Sequence, residues 1–440
     1  SSLGSAHHQA NIDNLERARD VFETTPFNFY SGMEQPELLI ITGGVCWLYT
    51  IDAVKALGLE DRIGVLRLGT MWPLPQKLIK KHLGNADKVL FVEHVESHLE
   101  DNIMVLAAGW ANDISPKSFY GKHSGHVNQV GEVNTSRVMN ALSRVMEVAY
   151  VPRDPKYDKK AKRIIQEMVP PRDLAFCPGC PHRTSFWVIK NTLKMIGRDG
   201  FCTGDIGCYS LAARPTGYEQ LKTLNAMGSG VGMASGFGKL AQFDFDQPVV
   251  AVCGDSTFYH AAIPALINAV YNKSDFTMIV LDNCTTAMTG FQPHPGVGKS
   301  ATGLAPVIDI ADICRALGVM VKIADPFDIG DATYKLLDLV ENGSGPRVLI
   351  MRRHCEQIRA KEDMTPPFSS IYVDPEKCYG DSCGCNRLCT RVFRCPGIVW
   401  NNERSKAEID AAVCTRCGVC ADLCPQEAIT VEVTQAETPA

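Results

Sequence analysis

The sequence predicts an α/β protein in which two parallel-sheet units precede a small cysteine-rich module. Three observations carry that prediction. Short apolar runs at Leu38–Thr42, Ile63–Leu68, Lys88–Val92, Val249–Val252, Thr277–Leu281 and Val348–Arg352 alternate with helical stretches, as strands joined by crossover helices do. Prolines bracket a charged segment from Val151 to Arg172. From Tyr372 onward cysteine density jumps while apolar periodicity fades.

Taken in order, residues 1–36 are polar, with their best helical stretch at Asn14–Phe22, and read as a connecting segment. Residues 37–150 read as the first α/β unit, opened by Leu38-Leu-Ile-Ile-Thr42-Gly43-Gly44, a buried strand entering a tight turn, and a helix from Trp47 to Leu57. Residues 151–172 have linker composition with room for one exposed helix. Residues 173–370 read as the second α/β unit, 371–433 as the cysteine module and 434–440 as a tail.

The 440 residues are 45% hydrophobic, enough for sizeable cores, and a net charge of −5 argues for neither nucleic acid nor a membrane as partner. Eighteen cysteines in a small secreted chain would suggest disulfides; here they fall at metal-ligand spacings. With no signal peptide and no apolar run of ~20 residues, the expected setting is cytoplasmic, reducing and poor in oxygen. The chain opens on Ser1 rather than Met, as a processed or truncated start would.

Cys414-Thr-Arg-Cys417-Gly-Val-Cys420-Ala-Asp-Leu-Cys424-Pro425 carries the strongest chemical signal. Three thiolates at intervals of three wrap one [4Fe–4S] cubane, and the fourth, before proline, turns to a neighbouring cluster. Structural zinc lacks the third cysteine at that interval, and disulfides need an oxidising compartment. Upstream lie Cys378, Cys383, Cys385, Cys389 and Cys395-Pro396. Cys395 parallels Cys424, so it should complete the cluster of Cys414, Cys417 and Cys420. Cys424 should join three of Cys378, Cys383, Cys385 and Cys389, with Cys383 or Cys385 the expected spare because neighbours on one loop rarely both reach one cubane.

In the second unit, Gly254-Asp255-Ser256 follows a strand, and Asn283 ends the next strand after a plausible crossover helix at Ala261–Tyr271. Both would stand at strand C-termini, where open α/β sheets bind ligands. A carboxylate and an amide oxygen there suit a hard divalent cation bridging two phosphates. A strand-end Gly-Asp turn with an unrelated Asn would look the same on this evidence alone.

This pattern resembles the thiamin diphosphate motif, Gly-Asp-Gly followed later by Asn-Asn, with Ser256 and Asp282 as departures. Cys177-Pro-Gly-Cys180-Pro-His182, Asp205-Ile-Gly-Cys208-Tyr209 and Thr285–Gly296 flank it. Together with the cysteine run, the whole chain resembles the large subunit of the indolepyruvate type of 2-oxoacid:ferredoxin oxidoreductases. The resemblance implies that residues 37–150 are transketolase C-terminal-like, that 173–370 bind thiamin diphosphate, and that 371–433 form a bacterial-type two-cluster ferredoxin domain. It implies Mg2+ on Asp255, Asn283 and the backbone carbonyl of Thr285, and cofactor contacts from Gly254, Ser256, Gly228, Cys208 and Tyr209. It also implies a third, proximal [4Fe–4S] cluster on Cys177, Cys180, Cys208 and Cys355, where structural thiols are the alternative.

His182, His260 and His294 fall within these motifs; His294, between prolines, is the candidate for facing substrate. Cys46, Cys202, Cys253, Cys284 and Cys314 read as inert thiols. The run Asn225–Gly236, rich in glycine, reads either as tight helix packing or as an approach to the cofactor.

The implied reaction is oxidation of a 2-oxo acid, most readily an aryl pyruvate such as indolepyruvate, to an acyl-coenzyme A with ferredoxin as acceptor. Implied partners are a smaller β subunit, ferredoxin, and a chain or segment supplying the pyrimidine-binding domain with its glutamate, for which no α/β unit exists upstream of residue 37. The competing readings are a non-redox thiamin decarboxylase or lyase, and an electron-transfer subunit carrying a relic thiamin fold.

Overall fold

In the computed structural model, which describes residues 2–151, 154–169, 173–362 and 364–433, the chain forms two compact units, Ser1–Pro170 and Pro171–Ala440.

The first unit is built on strands β1 (Phe29–Gly32), β2 (Leu38–Gly43), β3 (Ile63–Leu68), β4 (Lys88–Val92) and β5 (Ser118–Tyr120), in the order β1-β3-β2-β4-β5. β2 is buried along its whole length because helices cover both faces. Leu38 and Ile40 pack with Ala53 and Leu142 on one face, and Leu39 and Ile41 pack with Ile79 and Ile103 on the other. Residues 1–36 are more than the connecting segment expected. Ser2–Phe22 is one helix, and β1 pairs antiparallel with β3, so the sheet starts before residue 37. β1 is four residues long and half exposed, held partly by Tyr30 stacking on His82 at 4.1 Å, and leaves little periodic signal. Pro155–Met168 is a helix with no buried residue, capped by Asp154.

The second unit holds a six-stranded, wholly parallel sheet. Its strands are β6 (Phe201–Gly204), β7 (Leu221–Leu224), β8 (Val249–Gly254), β9 (Phe276–Asp282), β12 (Met320–Ala324) and β13 (Pro346–Arg352), with β10 (Lys299–Ser300) and β11 (Gly303–Leu304) as a separate small hairpin. The order is β12-β13-β9-β8-β6-β7. The chain runs outward from β6 to β7, then returns to β8 on the other side of β6. The C-terminal ends of β6 and β8 therefore border a crevice at the point where direction reverses, the favoured ligand position of such sheets.

The cysteine module begins at Phe368, three residues before the expected boundary. β14 (Phe368–Val373) pairs with β17 (Ile429–Val433), and β15 (Ile398–Asn401) with β16 (Lys406–Ile409), all antiparallel. It does not stand apart. Phe393, Val419 and Leu423 pack with Phe327 and Trp187 of the α/β part in one apolar cluster, and Arg359 Nη2 donates to the Thr415 carbonyl over 2.8 Å.

Candidate active site

β8 delivers Asp255, and β9 ends at Asp282, so that Asn283 and Thr285 follow directly. Asp255 Oδ1 accepts the Ser256 N–H at 2.7 Å, and Oδ2 accepts the N–H groups of Asn283 at 3.1 Å and Thr285 at 3.3 Å. One end of the Asn283 amide lies 3.1 Å from Asp255 Oδ2 and 2.7 Å from the Thr285 carbonyl oxygen. With nitrogen at that end the amide donates to both. With oxygen there, three acceptors converge, an arrangement that only a cation between them would resolve. Burial pushes the Asp255 carboxyl above its ordinary range, against the pull of nearby His294.

These residues border a cavity of about 190 Å3 lined by Gly254, Asp255, Ser256, Asn283, Thr285, Cys208 and Tyr209, among others. Tyr209 is buried; its hydroxyl is bonded to Asp205 and lies 3.1 Å from Thr257 Oγ1. Asp205 Oδ2 accepts the Gly228 N–H at 3.0 Å. Gly228, at φ 84°, has no room for a Cβ beside Ala261. Met227, next to it, lines the cavity. The sequence showed Asp205 only as part of a flanking motif, and its task of holding Tyr209 and Gly228 was not legible. A larger cleft of about 470 Å3, lined by Arg198, Asp246, Asp275 and Arg347, sits at the opposite, N-terminal ends of β8 and β9 and contains none of these groups.

A second cavity, about 110 Å3, is lined by all four of Cys177, Cys180, Cys208 and Cys355. His182, Cys208, Asn283 and Ala287 line both cavities, which makes them neighbours across a shared wall. Burial pushes the Cys180 thiol up to about 12 and Cys208 to about 11, the latter helped by the charges of Cys355 and Cys177. Thiols so placed give up their protons only to a metal. Burial likewise pulls His182 down to about 4, so its ring is neutral beside the Asn283 amide at 3.4 Å.

Cys180 lines a third cavity too, with Cys395, Cys414, Cys417 and Cys420 around it. The enclosed space is only about 20 Å3, so seating a cubane would swing these side chains outward. Backbone N–H groups already point at two sulfurs of the run, Arg416 to Cys414 at 3.4 Å and Ala428 to Cys424 at 3.3 Å. Cys383 and Cys389 each feel the charges of Cys385 and Cys424. Cys383 and Cys385 flank Gly384, which turns at φ 72°, and each bears on the ionisation of the other.

Among the described residues no three His, Cys, Asp or Glu side chains gather about a single point. The cation site would use one carboxylate, one amide and one carbonyl, and the thiolates of a cubane each reach a different corner.

The expectation for His294 is corrected. Rather than facing substrate it is buried, with Nε2 3.0 Å from Asp255 Oδ2. Its Nδ1 accepts the Gly296 N–H at 3.1 Å, Nε2 lies close to Asp255 without a well-formed hydrogen bond, and Tyr259 stacks on the ring at 5.4 Å. His260 is exposed on a π-helical turn, Phe258–Ala262. Cys46, Cys202, Cys253 and Cys314 are buried in apolar clusters, and Cys284 lies beside Asp282.

Residues 205–351 match the family described as thiamine pyrophosphate enzyme, C-terminal TPP binding domain, and residues 407–430 match the 4Fe-4S binding domain. The chain is 35% identical to the indolepyruvate oxidoreductase subunit IorA of Thermococcus kodakarensis, over 96% of this chain and 64% of that protein. It is also 35% identical to IorA of Pyrococcus horikoshii, covering 94% and 63%, and 33% identical to that of Archaeoglobus fulgidus, covering 95% and 63%. The chain thus spans just under two thirds of the length of these relatives. A 2-oxoglutarate:ferredoxin oxidoreductase from Magnetococcus marinus overlays 43% of this chain and 67% of its own at 17% identity, with a TM-score of 0.36, too slight to bear on function.

Proposed function

The chain is a homologue of the indolepyruvate oxidoreductase subunit IorA proteins, and on that premise we propose that it is the cofactor-diphosphate and electron-carrying part of a 2-oxoacid:ferredoxin oxidoreductase. The observation that carries the reading is adjacency. The oxygen set of Asp255, Asn283 and Thr285 shares a wall with the four-cysteine cavity, and Cys180 links that cavity to the next one. A non-redox decarboxylase would have no use for thiols stacked outward from the cofactor.

When bound, thiamin diphosphate supplies an electron sink for decarboxylation of a 2-oxo acid, and [4Fe–4S] clusters supply one-electron acceptors. The protein's own contribution is binding and exclusion. Asp255, Asn283 and the Thr285 carbonyl would hold Mg2+, and His294 packs against Asp255. Tyr209, fixed by Asp205 and Thr257, walls the cavity without titrating, since burial raises its hydroxyl far above the neutral range. Cys177, Cys180, Cys208 and Cys355 hold the proximal cluster. Cys395, Cys414, Cys417 and Cys420 hold the next, and Cys383, Cys385, Cys389 and Cys424 the outermost.

Aryl pyruvates are the proposed substrates, coenzyme A the acyl acceptor, and ferredoxin and a smaller β subunit the partners, in a reducing cytoplasm. No described helix is long and apolar enough to cross a membrane. The test is a screen of 2-oxo acids, with the partner subunits added, for coenzyme A-dependent reduction of ferredoxin or a low-potential dye. An indolepyruvate-dependent rate supports the reading; bound thiamin with no 2-oxo acid reducing any cluster refutes it.

A further inference from the structure

Arg183 sits one turn into the helix Pro181–Met195 and is 1% exposed. Nη1 donates to the Phe393 carbonyl at 2.9 Å and Nη2 to that of Phe176, while Nε finds no acceptor. Phe176 and Phe393 flank the guanidinium, their ring centroids 5.7 and 5.8 Å away. Among the described residues no carboxylate pairs with it. A buried guanidinium cannot shed its charge, and an uncompensated buried charge is costly, so a counter-charge is called for.

The side chain lines the cavity of Cys395, Cys414, Cys417 and Cys420. Its charge is felt by Cys180 on one side and by Tyr218 on the other, and Tyr218 in turn feels Cys395. Asp410 and the exposed Arg416 act on Cys414 in opposite senses, and Arg394, next to Cys395, is exposed to solvent. Glu356, whose charge reaches Cys417, is tied to Arg359 at 2.7 Å. Among the described residues that line this cavity, Arg183 is the fully buried cation without a carboxylate partner.

We infer that Arg183 is the counter-ion of the cluster held by Cys395, Cys414, Cys417 and Cys420, and that it raises the potential of that cluster. This rests on the cluster reading proposed above. Reduction adds one electron and breaks no bond; it converts the four-thiolate cubane from a dianion to a trianion, and net charge is a principal determinant of cluster potential. A fixed positive charge stabilises the trianion more. Arg183 is a positioning residue for charge, not a ligand.

The experiment is an anaerobic EPR-monitored potentiometric titration of the reconstituted chain, with Cys417→Ala used to identify the signal of this cluster. Arg183→Gln, which loses the charge, should keep full iron while its reduced form becomes at least tenfold less favoured, a fall of about 59 mV for one electron. Arg183→Lys, which keeps the charge, should stay within about threefold of the parent. If Arg183→Gln does not fold, Arg183→Met is read in the same way. Full iron with an unmoved midpoint in the neutral variant overturns the assignment to Arg183 alone. An equal shift in Arg183→Lys also overturns it, because bonding to the two carbonyls would then be what matters. Should Cys417→Ala lose neither iron nor a signal, the cluster reading itself falls, and the proposal with it.

Discussion

The backbone N–H of Cys355 donates to the carbonyl oxygen of Asn283 across 3.1 Å. Arg353 does the same to Asp282 at 2.9 Å, so the loops after β13 and β9 are pinned together just beyond the sheet. A thiol of the four-cysteine cavity and a proposed cation ligand thus share one backbone network. Chelating Mg2+ and washing out thiamin should change the EPR line shape of the proximal cluster and leave the others as they were. An unaltered spectrum after complete cofactor loss would break this link.

Asp255→Asn should release thiamin diphosphate while all clusters remain. The carboxylate is buried and organises Ser256, Asn283, Thr285 and His294 at once. Removing its charge should weaken cofactor retention by a hundredfold or more, the scale of the ~3 kcal/mol lost when one partner of a buried charge pair is taken away. Mass spectrometry of denatured protein, with iron analysis alongside, reads both quantities.

Iron content separates the thiol groups. Cys208→Ala should lose about four irons per chain, one cubane, and so should Cys389→Ala. Cys378→Ala should lose none if Cys383, Cys385 and Cys389 join Cys424 as proposed, in keeping with the mutual influence of their thiols. An equal iron loss in the Cys378 variant would reassign the outermost ligands.

β2, β8 and β9 were plain in the sequence because each is buried along its length and reads as an unbroken apolar run. The iron-binding run was plain for another reason: cubane ligands are mostly local, so spacing encodes them. What stayed hidden depends on contacts between distant segments. Arg183 meets the carbonyl of Phe393, 210 residues away. His294 reads as a loop residue until the chain folds it onto Asp255.

His82 offers a pH test of the first unit. Burial, with Lys81 adding to it, lowers its pKa below the ordinary histidine value, so the folded state prefers the neutral ring against Tyr30. The unfolded chain binds the extra proton first. The stabilisation is therefore complete above the unfolded value of about 6.5 and is lost as pH falls through the lower folded value. Urea midpoints of unit 1 unfolding should drop across that window, and His82→Gln should flatten the drop. A parent profile as flat as that of the variant would show that His82 does not titrate this way.

The last prediction concerns what the cofactor cavity lacks. Among the described residues that line it, Asp255 is the only carboxylate, and that group is committed to the cation site. A thiamin enzyme also needs a glutamate against the aminopyrimidine ring, which the resemblance assigns to a separate pyrimidine-binding domain. The curated relatives are longer than this chain by more than a third of their own length, ample for such a domain. Residues 1–440, reconstituted with clusters, Mg2+ and thiamin diphosphate, should therefore bind the cofactor yet reduce ferredoxin with no 2-oxo acid. Adding the pyrimidine-binding part and the β subunit should restore turnover, and replacing the glutamate of the added part by glutamine should abolish it again. Full turnover by residues 1–440 alone would mean that the ring is activated from within this chain, and the division of labour argued for Asp255 and its missing partner would be wrong.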